Sequence, residues 1–239
     1  ARARSPGQAL VKPALLGLRG GSVESFFMKA NAPDGSRALW VRNTVFRQPG
    51  MPVVAESWAI AFDRHRGHVA IKTTVAFEKA RFARDDFDTE VDGCALSLRN
   101  ARGRLESGRG TLGWQLDFGP PLAAEIQHLP TLMYRDEVPS SKLVTPISDA
   151  LAQGRVTVER GPGDVDVWDV EAWPMMVGHN WGRANAELYA WSHCNHWKID
   201  GEPVKGLVFE ALSARVRMGP VLAPLMTMVF LRYRGKSGN

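Results

Sequence analysis

The side chains best suited to chemistry crowd into one part of this 239-residue chain. Five of its eight tryptophans (Trp168, Trp173, Trp181, Trp191 and Trp197) lie between positions 168 and 197, among His179, His193, His196, Asn180, Asn185 and Asn195. Indole rings make rigid apolar walls with one donor each, while His and Asn supply orientable polar groups. That mixture suits a pocket for a bulky, mostly apolar ligand. The same residues would equally serve a Trp-rich core whose polar groups satisfy buried backbone. Gly178 and Gly182 flank His179 and would let its ring and backbone approach a ligand closely. Glu210 stands in the apolar run Leu207–Leu212. Burial there would raise its pKa and make it a usable acid, whereas an outward-facing strand position would leave it an ordinary carboxylate.

Other chemistries fit poorly. His193, Cys194 and His196 are close in sequence, but alternation on a strand turns His193 away from the other two, so no metal site is expected. Ser192 and His193 likewise face opposite ways, and no Gly-x-Ser-x-Gly elbow exists. Gly103, Gly108, Gly110 and Gly113 read as hairpin glycines with no following helix to cradle a phosphate. No cofactor is implied.

Strands must position these residues. Period-two alternation marks Ala38–Phe46, Ser57–Phe62, His68–Phe77, Cys94–Arg99, Leu112–Phe118, Arg155–Glu159, Val165–Val170, Leu188–Trp197, Leu207–Met218 and Thr227–Tyr233. Turn chemistry separates them, as at Gly161–Pro162–Gly163–Asp164. The pattern predicts an all-β fold, an antiparallel barrel of at least eight strands. Proline-rich Gly119–Pro146 reads as an irregular excursion, Ser148–Gln153 as one helical turn, and Arg99–Arg109 as a solvated loop. A strongly patterned strand so near the end of the chain suggests one barrel over residues 1–219 and the first strand of a second over 220–239.

Composition excludes several classes. The formal charge is +5, but the excess sits at the ends. Arg2, Arg4, Lys12 and Arg19 precede the first acidic residue, and Arg215, Arg217, Arg232, Arg234 and Lys236 follow the last. The body between them is mildly acidic, which argues against nucleic acid. Met218–Leu231 is too short and proline-broken to span a membrane, and Leu10–Leu18 is interrupted by Lys12 and Pro13, unlike a signal peptide. Cys94 and Cys194 are too few for a disulfide scaffold and fit a cytoplasmic protein. Oligomeric state is not readable.

Val177-Gly-His-Asn-Trp-Gly182, Trp191-Ser-His-Cys-Asn195 and Phe209–Arg215 together resemble the AttH-like group of the lipocalin (calycin) superfamily. Carotenoid hydratase, tocopherol-cyclase-like proteins and Diels–Alderase-type cyclases share that resemblance. Lys142–Pro146 and Glu56–Phe62, with Trp58, extend it, so that it spans about residues 40–235. The resemblance implies a lipocalin-type barrel followed by a second, with ligand in or between them, and cofactor-free chemistry on polyene, isoprenoid or polyketide-like molecules. In the hydratases the His and Trp matching His179 and Trp181 work with a downstream Tyr-x-Asp pair. This chain has none after Trp181, and Phe209 and Glu210 occupy that region. The expected function is therefore binding of a hydrophobic small molecule and its cyclisation, isomerisation or hydration. His179 and Glu210 are the catalytic candidates, and Trp58, Asn180, Trp181, Trp191, His193 and Asn195 the ligand-binding ones. The alternative is a carrier that does no chemistry.

Overall fold

The computed structural model describes residues 21–84, 86–108, 110–134, 141–183, 186–204, 206–218 and 220–233. The basic residues of 1–20, together with Asn185, Arg234 and Lys236, lie outside them.

Strands dominate. The first four are β1 (Ser22–Asn31), β2 (Arg37–Arg47), β3 (Val54–Asp63) and β4 (Val69–Ala76). Short strands β5 (Ala80–Phe82), β6 (Asp88–Val91) and β7 (Cys94–Ser97) lead to β8 (Asn100–Ser107) and β9 (Gly110–Phe118). After the two-residue β10 (Ile126–Gln127) come the long β11 (Ser141–Glu159) and β12 (Val165–Gly182). All twelve form one sheet in the order β4-β3-β2-β1-β12-β11-β9-β8-β7-β6-β5, with β10 on β11. Its paired neighbours are antiparallel, and it curls into a nearly closed barrel of the predicted class. A 3-10 turn (Phe77–Lys79) joins the two end strands, and β4 comes back within reach of β8 and β9. Curling removes most of the free edge that so wide a sheet would expose.

The remaining strands are β13 (Leu188–Cys194), β14 (Trp197–Ile199), β15 (Glu202–Val204), β16 (Leu207–Arg215), β17 (Arg217–Met218), β18 (Val221–Leu222) and β19 (Met226–Tyr233). They pair only among themselves, with β13, β16 and β19 forming a three-stranded antiparallel sheet. This sheet starts at Leu188, well before the 219/220 division suggested by sequence. Among the described residues no helix is long and apolar enough to cross a membrane.

One apolar cluster runs through the barrel. Phe26, Met28, Leu39, Val41, Trp168 and Met175 belong to one continuous buried cluster. Two local readings are corrected. Asn100–Ser107, taken as a solvated loop, is β8, and Ala101 and Leu105 enter the core. Ser148–Gln153, taken as a helical turn, lies within β11, where the pairing with β12 slips three times between Val144 and Gly154. Pro146, which has no N–H to give the ladder, sits at the first slip. The polar residues that looked helical in sequence are buried and bonded: Ser148 Oγ donates to the Ala124 carbonyl at 2.7 Å.

Candidate functional site

Strands β1 and β12 pair in register from Val23/Gly182 to Ala30/Met175, and both faces of this ribbon are covered. Glu24, Phe26 and Met28 point into the barrel with Met175, Val177, His179 and Trp181. Phe27, Gly178 and Asn180 point outward, where β13, β16 and β19 lie over them. A cleft of about 220 Å³ opens between barrel and second sheet. Phe27, Trp40, Arg42, Lys142 and Asn180 line its barrel wall. Tyr189, Trp191, Leu212, Met226 and Met228 line the other, and His128 reaches it from the segment after β10.

The candidates divide between these surroundings. Asn180 and Trp191 line the cleft. His179 is on the opposite face of β12 and is fully buried in the barrel. Its Nε2 donates to Glu24 Oε1 at 2.7 Å, and its ring lies between Phe26 (4.4 Å) and Trp181 (4.5 Å), near-parallel to both. Trp181 packs on Tyr134 at the same end. Trp58 extends the outward row Phe27–Arg42–Trp58 one strand beyond the cleft, where its Nε1 donates to Glu56 at 2.9 Å under Lys72.

Glu210, His193 and Asn195 sit in a polar layer between the sheets. Glu210 is fully buried, and its Oε1 accepts from His128 Nε2 (2.9 Å), Thr145 Oγ1 (2.9 Å) and Trp191 Nε1 (2.8 Å). Burial alone would push this carboxyl up, as the sequence suggested. The His128 and Trp191 hydrogen bonds outweigh it, and the pKa falls below the usual value. Glu210 is therefore a carboxylate acceptor rather than a poised acid. His193 Nε2 donates to the Ser148 carbonyl at 2.9 Å, and burial, helped by Lys29, lowers its pKa to about 4. Asn195 leaves β13 and donates to Asp149 (3.1 Å) and to the Met175 carbonyl (2.9 Å). Burial pushes Asp149 up to about 6. Cys94 and Cys194 are both free thiols. Among the described residues no three His, Cys, Asp or Glu side chains converge as a metal would require.

His128, Thr145, Phe27, Arg42 and Lys142 were not singled out in the sequence. His128 binds a residue 82 positions away, across two sheets, so no local spacing marks it.

Gly178 makes room for Phe27 rather than for a ligand at His179. A Cβ there would lie 2.2 Å from the tip of the Phe27 ring, which packs edge-on to Trp191. Gly178→Ala is expected to drive that ring into the cleft. Stability should drop by about 1–3 kcal/mol, as for other overpacked sites. Ligand affinity should fall roughly tenfold, and Phe27→Leu in the same background should restore it. Titration of the single and double variants checks this, and unchanged affinity in Gly178→Ala would refute it.

No family model matches the chain, and no curated protein matches it. A solved structure does: a candidate AttH protein from Nitrosomonas europaea, with a TM-score of 0.53 at 15% identity. The match covers 87% of this chain and 64% of that one, so this chain spans less than two thirds of its length. The shared architecture is an all-β, lipocalin-like barrel, here carrying a second sheet and a cleft between the two. Identity at this level supports the fold alone.

Proposed function

We propose that the protein binds a bulky, largely apolar small molecule, of isoprenoid, polyene or polyketide-like type, in the cleft between barrel and second sheet. The carrying observation is the cleft itself. Phe27, Trp40, Trp191, Leu212, Met226 and Met228 give it apolar walls, and a few convergent polar groups interrupt them. The barrel interior, where lipocalin-like proteins could hold a ligand, carries a continuous cluster of the chain's own buried side chains. Methionines on β19 let one wall adapt to irregular shapes.

A second reading adds chemistry: the cleft holds one conformer and promotes its cyclisation, isomerisation or hydration without a cofactor. It rests on His128, a residue of the cleft lining whose ring is fixed at both nitrogens, Nε2 on Glu210 and Nδ1 on the Leu143 carbonyl. His179 lies across β12 from that space.

Trp191 makes the binding testable. A polyene seated in the cleft should quench tryptophan fluorescence at micromolar concentration, and Trp191→Phe should remove much of that quenching while leaving most of the affinity. A panel of polyenes and isoprenoids that leaves the folded protein's emission unchanged would overturn the assignment. Mass spectrometry of ligand recovered after incubation separates the two readings. Unaltered ligand supports the carrier; an isomer, or a product heavier by one water, supports the enzyme.

A further inference from the structure

The cleft has a charge asymmetry that an apolar ligand alone does not explain. Its lining includes Arg42 and Lys142, and among its described residues no carboxylate. Arg42 is well covered, and burial lowers its pKa. Its Nε donates to Ser25 Oγ (3.0 Å) and Thr44 Oγ1 (2.8 Å), and Nη2 donates to Ser25 Oγ (2.6 Å). These hydroxyls fix the plane of the guanidinium but carry no charge. Elsewhere on the barrel the covered arginines have counter-ions: Arg37 and Arg160 both reach Asp63 and Asp166. Arg42 has no ion pair among the described residues. Tyr189 and Glu56 act on it electrostatically, and the Glu56 carboxylate already accepts from Trp58, Lys72 and Thr74.

A covered cation without a counter-ion is costly unless something supplies the charge. A guanidinium held in one plane, with Nη1 unused among the described residues, is prepared for a planar, singly charged acceptor. Lys142 is buried in the same wall. Glu210, the carboxylate behind the cleft, has its Oε1 turned to His128, Thr145 and Trp191.

We infer that the natural ligand is an apolar molecule bearing a carboxylate, and that Arg42 is its counter-ion. This rests on the cleft being the binding site and specifies what enters it. The carboxylate lies at the Arg42 end, the hydrocarbon runs along Phe27, Trp191 and Met228, and a neutral analogue of the same shape is discriminated against.

The test pairs parinaric acid, a fluorescent polyene fatty acid, with its methyl ester. The wild type is expected to bind the acid about tenfold more tightly, the order of one charge-assisted hydrogen-bonded pair. Arg42→Met should abolish that preference, so that acid and ester bind alike. Arg42→Gln, which keeps a donor for Ser25 and Thr44, should behave likewise and guards against a folding defect in the first variant. Equal binding of acid and ester by the wild type overturns the carboxylate while leaving the cleft as a binding site. A preference that survives in both variants overturns Arg42 as its source. Failure of both probes to bind the folded wild type removes the cleft assignment and this inference with it.

Discussion

Glu210→Ala is expected to cost about 3–5 kcal/mol of stability, the range for removing one partner of a buried, hydrogen-bonded charge pair. The loss should concentrate at the junction of the two sheets. Oε1 of Glu210 ties together three donors from separate parts of the chain: His128 after β10, Thr145 on β11 and Trp191 on β13. Without it, three donors lose an acceptor together. Amide exchange should therefore accelerate across β13, β16 and β19 more than across β1–β4, where this carboxylate makes no bond. Glu210→Gln, which keeps an acceptor oxygen, should lose much less. The pH dependence follows from the lowered pKa. A depressed carboxyl contributes stability that is present above its unfolded pKa and is lost as pH falls through its folded one. Below the carboxylate range the wild type should converge on Glu210→Ala. A loss under about 1 kcal/mol for the alanine variant, or exchange rising evenly over the chain, would show that Glu210 does not join the sheets.

His179→Ala should be comparably damaging, by about 3–5 kcal/mol, yet leave binding almost intact. Both His179 and Glu24 are fully buried, so truncation takes from Glu24 the ring that donates to it. It also empties the slot between Phe26 and Trp181, so that one face of each ring loses the imidazole packed on it. The cleft lies on the other face of the same ribbon. In protein kept folded at low temperature, ligand affinity should change by less than about threefold, an effect under 1 kcal/mol. A normally stable His179→Ala protein that has lost binding or turnover would mean that the ligand enters the barrel. Thermal melts and titrations on one preparation decide between the two.

Fold class was legible because most strands have one covered and one open face. Leu112, Trp114 and Leu116 are buried, alternate with Gly113, Gln115 and Asp117, and form β9 as read. Two of the strands that escaped notice are covered on both faces. β1 (Val-Glu-Ser-Phe-Phe-Met-Lys) and the second half of β12 (Trp-Pro-Met-Met-Val-Gly-His) are buried along nearly their whole length, and a two-sided burial erases alternation. Those strands carry the site. Of the Trp/His/Asn cluster, Asn180 and Trp191 line the cleft. The assignment of His179 to ligand contact depended on which face of β12 meets the open space, and that is decided by β1 and the second sheet, not by neighbours in sequence. Arg42 and His128 gave no signal because their significance lies in partners: what Arg42 lacks and what His128 finds in Glu210.

The order of the barrel strands has a consequence for how the chain comes off the ribosome. β1 to β4 form a meander of neighbouring hairpins, but the other edge of β1 pairs with β12, whose partner residues run from Met175 to Gly182. At about 5–20 residues per second, the edge of β1 waits roughly ten to thirty seconds for its mate. Throughout that interval β1, which carries Phe26, Phe27 and Met28, keeps one edge unpaired, a configuration prone to join a neighbouring chain. Long-range closure of this kind is also intrinsically slow. Yield in the cell should therefore respond to translation speed and chaperone supply more than the stability of the finished barrel would suggest.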